Sequence, residues 1–364
     1  MNYKPVNNRF DYLDGLRGLA ALVVVFGHFW PYESLRAIPL LNIFFDTKLA
    51  VAIFFVLSGV VLSHSASKYE INFRWLSYSI FTRYIRLMIP ILLVTLIALI
   101  FFELDLFFND NIPSSFGAWK GYDIFYRFKH DLFDGLLFAT YNVFFDYDAQ
   151  HTYIPPAWTM RPELFASTIL FLFIWILSLL RKSNISLFLL LCLSLFVFLS
   201  RFYLPGLYYF SYFLVGYILY ALYLKPSCNF IIPFWAFILW VLFKSVILMF
   251  SINSLFIDFV LASVLIVIVM FNPIVKKFLT KGVFLYLGYI SFPLYLVHSP
   301  LISSFGLYNF TWLGFTGFSV VVCAVINFIL LMVPVLILSH GLAYVDKINI
   351  NLIKAAANKI VVKL

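Results

Sequence analysis

Runs of apolar residues about as long as a bilayer-crossing helix, 17 to 25 residues, recur along the whole 364-residue chain. They lie near 15–31, 48–64, 84–102, 157–180, 185–200, 207–224, 229–250, 254–272, 284–306 and 312–340. Between most of them sit short polar loops. The pattern predicts an all-α fold: a polytopic transmembrane helix bundle of about ten spans. An eleventh apolar stretch, 132–145, is short and carries Asp134 and Gly135, so it reads as a re-entrant or interfacial segment. Residues 1–345 form one membrane unit with a long loop at 103–156, and 346–364 read as a short basic tail.

Composition sharpens this picture. Hydrophobic residues make up 64% of the chain and charged residues 11%, with a mean hydropathy of +1.00, beyond anything a soluble core requires. The 45 Phe and 23 Tyr fit lipid-facing surfaces and interfacial belts. A formal charge of +9 raises the question of nucleic acid, but the basic residues sit in short loops between apolar runs and form no exposed aromatic platform, so no nucleic-acid partner is expected. If 132–145 does not cross, alternate connections carry Lys4, Arg9, Arg17; Lys68, Arg74, Arg83, Arg86; Arg181, Lys182; Lys225; Lys276, Lys277, Lys281; and Lys347, Lys354, Lys359, Lys363. These are 17 of the 25 Lys and Arg, which places those connections and both termini in the cytoplasm. The loop at 103–156 is then an outer loop with several Asp residues, either a lid or a surface that touches substrate. Cys192, Cys228 and Cys323 show no paired spacing and read as packing residues. The basic N-terminal stretch lacks a small-residue cleavage site after its apolar run, so the first span is expected to be retained.

The costly residues are the ionisable ones inside the spans. Arg17 and His28 are eleven positions apart, which returns them to nearly one helix face at roughly 16 Å along the axis. Arg17 therefore sits at the cytoplasmic boundary and His28 in the outer half. Arg83 and Arg86, a helical turn apart before the third span, lie on the cytoplasmic side. Three arginines there suit a phosphate-bearing donor through forked, charge-assisted contacts, or they simply anchor the span ends to lipid phosphates. Glu163 opens the fourth span near the outer face, where it needs a cation or hydrogen-bond donors. His28 is one partner, and Arg161 the structural alternative. His298 lies in the outer half of a later span as a further base, or as a satisfied core histidine. Lys244 and Asp258 read as structural residues on neighbouring antiparallel helices, where they either pair or snorkel. His64, His130, His151 and His340 lack metal-ligand spacing, and no metal site is expected. No His-Glu-x-x-His, Walker or Gly-x-Ser-x-Gly pattern occurs.

Taken together these residues resemble acyltransferase family three, the integral membrane O-acyltransferases that modify carbohydrates at the bacterial envelope. The likeness runs nearly end to end. It rests on Arg17 and His28 within Leu13-Asp14-Gly15-Leu16-Arg17-Gly18, on Phe54-Phe55-Val56-Leu57-Ser58-Gly59, on paired Arg83 and Arg86, on Trp158, Thr159, Met160 and Glu163, and on Tyr295-Leu296-Val297-His298-Ser299-Pro300. Two departures stand out. After Glu163 the chain reads Leu164-Phe165-Ala166-Ser167 where the commoner family form has Glu-Gln-Phe-Tyr, and Asp346 takes the place of a Glu-x-Pro without its proline. Many relatives carry a soluble esterase-like domain after the last span, and none is expected here.

The resemblance implies transfer of an acyl group, acetyl first among the choices, from cytoplasmic acyl-CoA to a sugar hydroxyl of a surface polysaccharide such as lipopolysaccharide O-antigen, in the bacterial inner membrane. Arg17, Arg83 and Arg86 would hold the phosphates of the acyl-CoA. His28 would act as general base or transient acyl carrier, Glu163 would orient it, and His298 stands in reserve as base or acceptor contact. The competing classes are a transporter or flippase for a glycan or its precursor, using the same charges as a polar pathway, and a non-catalytic scaffold.

Overall fold

The computed structural model describes residues 10–29, 39–109, 124–179, 187–200, 206–225, 230–252 and 254–360. The expectations placed on Lys4, Arg9, Arg181, Lys182, Cys228 and Lys363, on the side chains of Lys354 and Lys359, and on the part of the long loop at 110–123 fall outside what is described.

Every regular element among the described residues is helical, as the sequence predicts. The elements are α1 (Asp11–Phe29), α2 (Thr47–Ala66), α3 (Phe73–Glu103), α4 (Leu132–Phe145), α5 (Met160–Leu179), α6 (Leu187–Leu199), α7 (Tyr208–Tyr223), α8 (Phe234–Met249), α9 (Leu255–Phe271), α10 (Pro273–Leu279), α11 (Gly282–Leu301), α12 (Leu307–Gly314) and α13 (Val320–Ile360). Helix starts follow local chemistry. The Asp46 carboxylate caps α2 by accepting from Leu49 N, and Asn72 caps α3 through Trp75 N.

Each of the ten apolar runs falls on a helix, but the count of ten spans is not reached on length and composition. Six helical stretches are long and apolar enough to cross, and a seventh is obtained if α9 and α10, bent by 94°, are taken together. The other three runs form α6, α7 and α8, of 13, 16 and 16 residues, shorter than the usual 17 to 25. α13 continues without a break through position 346, so the basic tail grows out of the last apolar helix.

Directions follow from which residues meet. α1 and α11 run parallel, with Gly18 against Gly288 and His28 against His298. α2 and α7 are also parallel, with Gly59 against Phe213 and His64 against Tyr220. α8 and α9 are antiparallel, with Trp240 bonded to Leu261 O and Lys244 to Asp258. α1 and α11 pack at backbone distance because a Cβ on Gly18 would collide with Gly288 and Leu287, and one on Gly288 with the Asp14 carbonyl. Small residues of this kind let membrane helices approach closely where no hydrophobic force drives them together.

α4 settles the question raised by 132–145. It descends along α3, with Gly135 against Leu99, Tyr84 Oη bonded to Thr140 O at 2.6 Å and the Tyr84 ring against Phe144. The chain then climbs back, so that Tyr153 lies against Phe102 and donates to Asp134 Oδ2 at 2.6 Å. This is the path of a re-entrant segment, with a π-helical turn at Phe138–Asn142.

Candidate active site

Two adjoining clusters gather the polar motif residues. The first lies between α1 and α11. His298 is fully buried, and its Nε2 is 3.1 Å from Nδ1 of His28, the rings stacked with centroids 5.1 Å apart. His298 Nδ1 is 3.2 Å from the Leu294 carbonyl. A carbonyl only accepts, so Nδ1 of His298 carries the proton and Nε2 of the neutral ring is the acceptor. His28 must then donate from its own Nδ1, which leaves Nε2 of neutral His28 as the basic nitrogen. His28 lines an open cavity together with Trp158 and Tyr295. One turn before His298, Tyr295 donates to the Pro156 carbonyl at 2.7 Å and meets Thr159 Oγ1 at 2.8 Å. The motif around His298 is thereby tied to the one that opens α5.

The second cluster lies deeper along α5. Glu163 is buried, accepts from Ser58 Oγ at 2.6 Å and forms an ion pair with Arg83. Arg17 is within electrostatic reach of both, and it also pairs with Asp14 at 3.1 Å. Arg86 is coupled to Arg83, Arg17 and Asp346. Three arginines from α1 and α3 thus face three acids, Asp14, Glu163 and Asp346, carried by α1, α5 and α13. A buried charge of this kind is tolerated only when so paired.

In this arrangement Glu163 accepts hydrogen bonds from Ser58 and Arg83, Arg161 is exposed, and His28 meets His298. Arg83 reaches Glu163 because the 31 residues of α3 place it ten positions inside the helix, level with the start of α5. In the sequence Ser58 stands only within the Phe54–Gly59 motif. Its signal was a hydroxyl within an otherwise apolar run, and its role emerges only from its position across from Glu163.

Elsewhere, Lys244 pairs with Asp258 at 2.8 Å, as the sequence suggested, and also with Asp46 at 2.6 Å. Among the described residues, no group of three or more His, Cys, Asp or Glu is placed to hold a metal ion.

The long apolar helices define a multi-pass membrane protein, and the comparisons give its family. The family model described as an acyltransferase domain matches residues 10–345, and the chain belongs to acyltransferase family three. It is similar to the O-acetyltransferase PaAT-1 of Phomopsis amygdali, with 32% identity over 114 residues, 26% of this chain and 23% of that protein. The chain therefore spans about a quarter of the length of this relative. No solved structure matches.

Proposed function

We propose that the protein transfers an acyl group, acetyl in the first instance, from cytoplasmic acyl-CoA to a sugar hydroxyl of a surface polysaccharide such as lipopolysaccharide O-antigen, working in the bacterial inner membrane with both termini in the cytoplasm. The observation that carries this reading is the pairing of His28 with His298 at the wall of a cavity, on the same helix and the same stripe as Arg17. A base and a phosphate-binding cation are thereby held at opposite ends of one rigid element. Alternating helix directions and the basic residues at one end of the bundle support the orientation.

In this mechanism the donor supplies a thioester, while Arg17, Arg83 and Arg86 hold its phosphates. Nε2 of His28 takes the proton from the acceptor hydroxyl as its oxygen attacks the thioester carbonyl carbon. His28 becomes an imidazolium, stabilised through Nδ1–H to His298 Nε2. The tetrahedral adduct then collapses, the C–S bond breaks, and the departing thiolate receives the proton from His28 Nε2. In the acyl-carrier variant Nε2 itself attacks the carbonyl and the C–S bond breaks to release the thiolate; the hydroxyl oxygen then displaces the imidazole as the C–N bond breaks, and its proton passes to the freed Nε2 and on to the thiolate.

The test is transfer of labelled acetyl from acetyl-CoA to envelope glycan, in membranes holding the wild-type chain, His28→Ala or Arg17→Ala at matched expression. Label in wild type and its loss in both variants supports the reading. Equal label in all three overturns the site, and label in none overturns acetyl transfer to these glycans. A His28 adduct seen by mass spectrometry after incubation with donor alone selects the acyl-carrier route.

A further inference from the structure

The short helix α10 has an inner face that the bundle accounts for and an outer face that it does not. α9 is 17 residues long, at the lower limit of a span, and α10 turns from it by 94°. α10 therefore lies close to the plane of the membrane. It sits at the end of the bundle that holds Arg17, because a Cβ on Gly15 would strike the Leu279 carbonyl. The elbow is fixed: the Asn272 side chain accepts from Val275 N at 2.8 Å and donates to Ile232 O at 3.0 Å. Val275 and Leu279 are buried, and Lys276 is turned inward, its ammonium 5.0 Å from the centroid of the Tyr12 ring and 5.7 Å from that of Tyr223. The outer face and the turn behind it carry Ile274, Lys277, Phe278 and Lys281, one stripe at helical spacing. Ile274 is 57% exposed and Phe278 47%, and both lysines are exposed as well. Among the described residues, neither lysine forms an ion pair with a carboxylate.

We propose that this stripe docks an anionic phospholipid, with its phosphate held by Lys277 and Lys281 and its acyl chains against Ile274 and Phe278. A helix lying in the membrane interface with apolar and basic side chains on one surface matches both parts of such a molecule. A zwitterionic lipid offers the chains but no net charge to meet two cations. A free phosphate offers the charge but leaves the two apolar side chains uncovered. The Leu279–Gly15 contact gives the lipid a role: it seats α10 from outside, and α10 in turn backs α1 two residues before Arg17. The inference uses the membrane location of the fold and none of the acyl-transfer chemistry.

The experiment incubates the full chain, purified in detergent, with phosphatidylglycerol or with phosphatidylcholine of the same chain length, and counts bound lipid by native mass spectrometry. Wild type should retain phosphatidylglycerol in preference. Lys277→Gln/Lys281→Gln should weaken that binding about 25-fold, roughly fivefold for each lysine. Lys225→Gln/Lys347→Gln removes the same charge from exposed positions off the stripe and should leave binding unchanged. sn-Glycerol 3-phosphate, which has the phosphate without the chains, should not displace the lipid. No preference in wild type, or an equal loss in the two double variants, overturns the site, and displacement by glycerol phosphate overturns the lipid as its occupant. Thermal midpoints give a second reading that does not depend on the variants. Phosphatidylglycerol should raise the wild-type midpoint where phosphatidylcholine does not, and an equal rise with both lipids counts against the proposal.

Discussion

His298 Nε2 lies 3.1 Å from His28 Nδ1, across two helices that run parallel and touch at their glycines. With its other nitrogen bonded to Leu294 O, His298 is held in one tautomer and fixes that of His28. His28→Ala should lower transfer by at least about 10³-fold, because the proton acceptor itself is lost. His298→Ala should cost about 10²-fold, mainly in kcat, and His298→Gln, whose amide oxygen still accepts, should recover part of the loss. Steady-state kinetics with the KM for donor measured alongside checks this, and an unaltered kcat in His298→Ala would remove His298 from the mechanism.

The ion pair between Arg83 and Glu163 is predicted to matter as a pair. Losing one member of a buried pair leaves the other uncompensated, at about 3–5 kcal/mol, and Ser58 cannot replace the missing cation. Arg83→Met and Glu163→Met alone should each lower the thermal midpoint in detergent and reduce activity. The double variant should regain part of the stability but not the activity, if Arg83 also binds donor phosphate. Ser58→Ala removes one charge-assisted hydrogen bond, a loss of about 1.5–3 kcal/mol. A double-mutant cycle on thermal midpoints measures the coupling, and strict additivity would contradict it.

Much of this site could be read from the sequence, though not its pairings. The Arg17–His28 stripe follows from spacing on a single helix, and the helix directions follow from alternation of apolar runs and basic loops. The partners of Glu163 and His28 depend on rotation and depth of separate helices, and no local pattern encodes those. Hydropathy also started the third run only at 84, after Arg83, whereas the helix begins at Phe73 behind its Asn72 cap and carries Arg83 and Arg86 against acids on α5 and α13. The count of ten spans is not reached on length because α6, α7 and α8, as described, are 13, 16 and 16 residues long. Asp346 appeared in the sequence as an imperfect motif, and its coupling to Arg86 gives it a place.

That coupling carries its own expectation. Asp346 brings a carboxylate to Arg86 from the far end of α13, and its Oδ1 has no hydrogen-bond partner. Asp346→Asn should release Arg86 from its orienting charge and raise the KM for acyl-CoA several-fold, with little effect on the KM for acceptor. Asp346→Glu should stay near wild type. Donor and acceptor saturation curves decide this, and a change confined to acceptor KM would place Asp346 elsewhere in the mechanism.

The glycines between α1 and α11 make a mechanical prediction. A leucine at Gly18 would meet the backbone of Gly288 and Leu287, which cannot yield as a flexible side chain does, so the two helices must part. Overpacking of this kind typically costs about 1–3 kcal/mol. Parting the helices also lengthens the His28–His298 contact, ten or eleven residues farther along the same pair. Gly18→Leu and Gly288→Leu should therefore lose activity out of proportion to their loss of stability, and Gly206→Ala, which has open space around it, should change neither. Activity measured well below each variant's thermal midpoint separates the two effects. If the leucine variants retain full turnover there, the histidine geometry does not depend on this close approach.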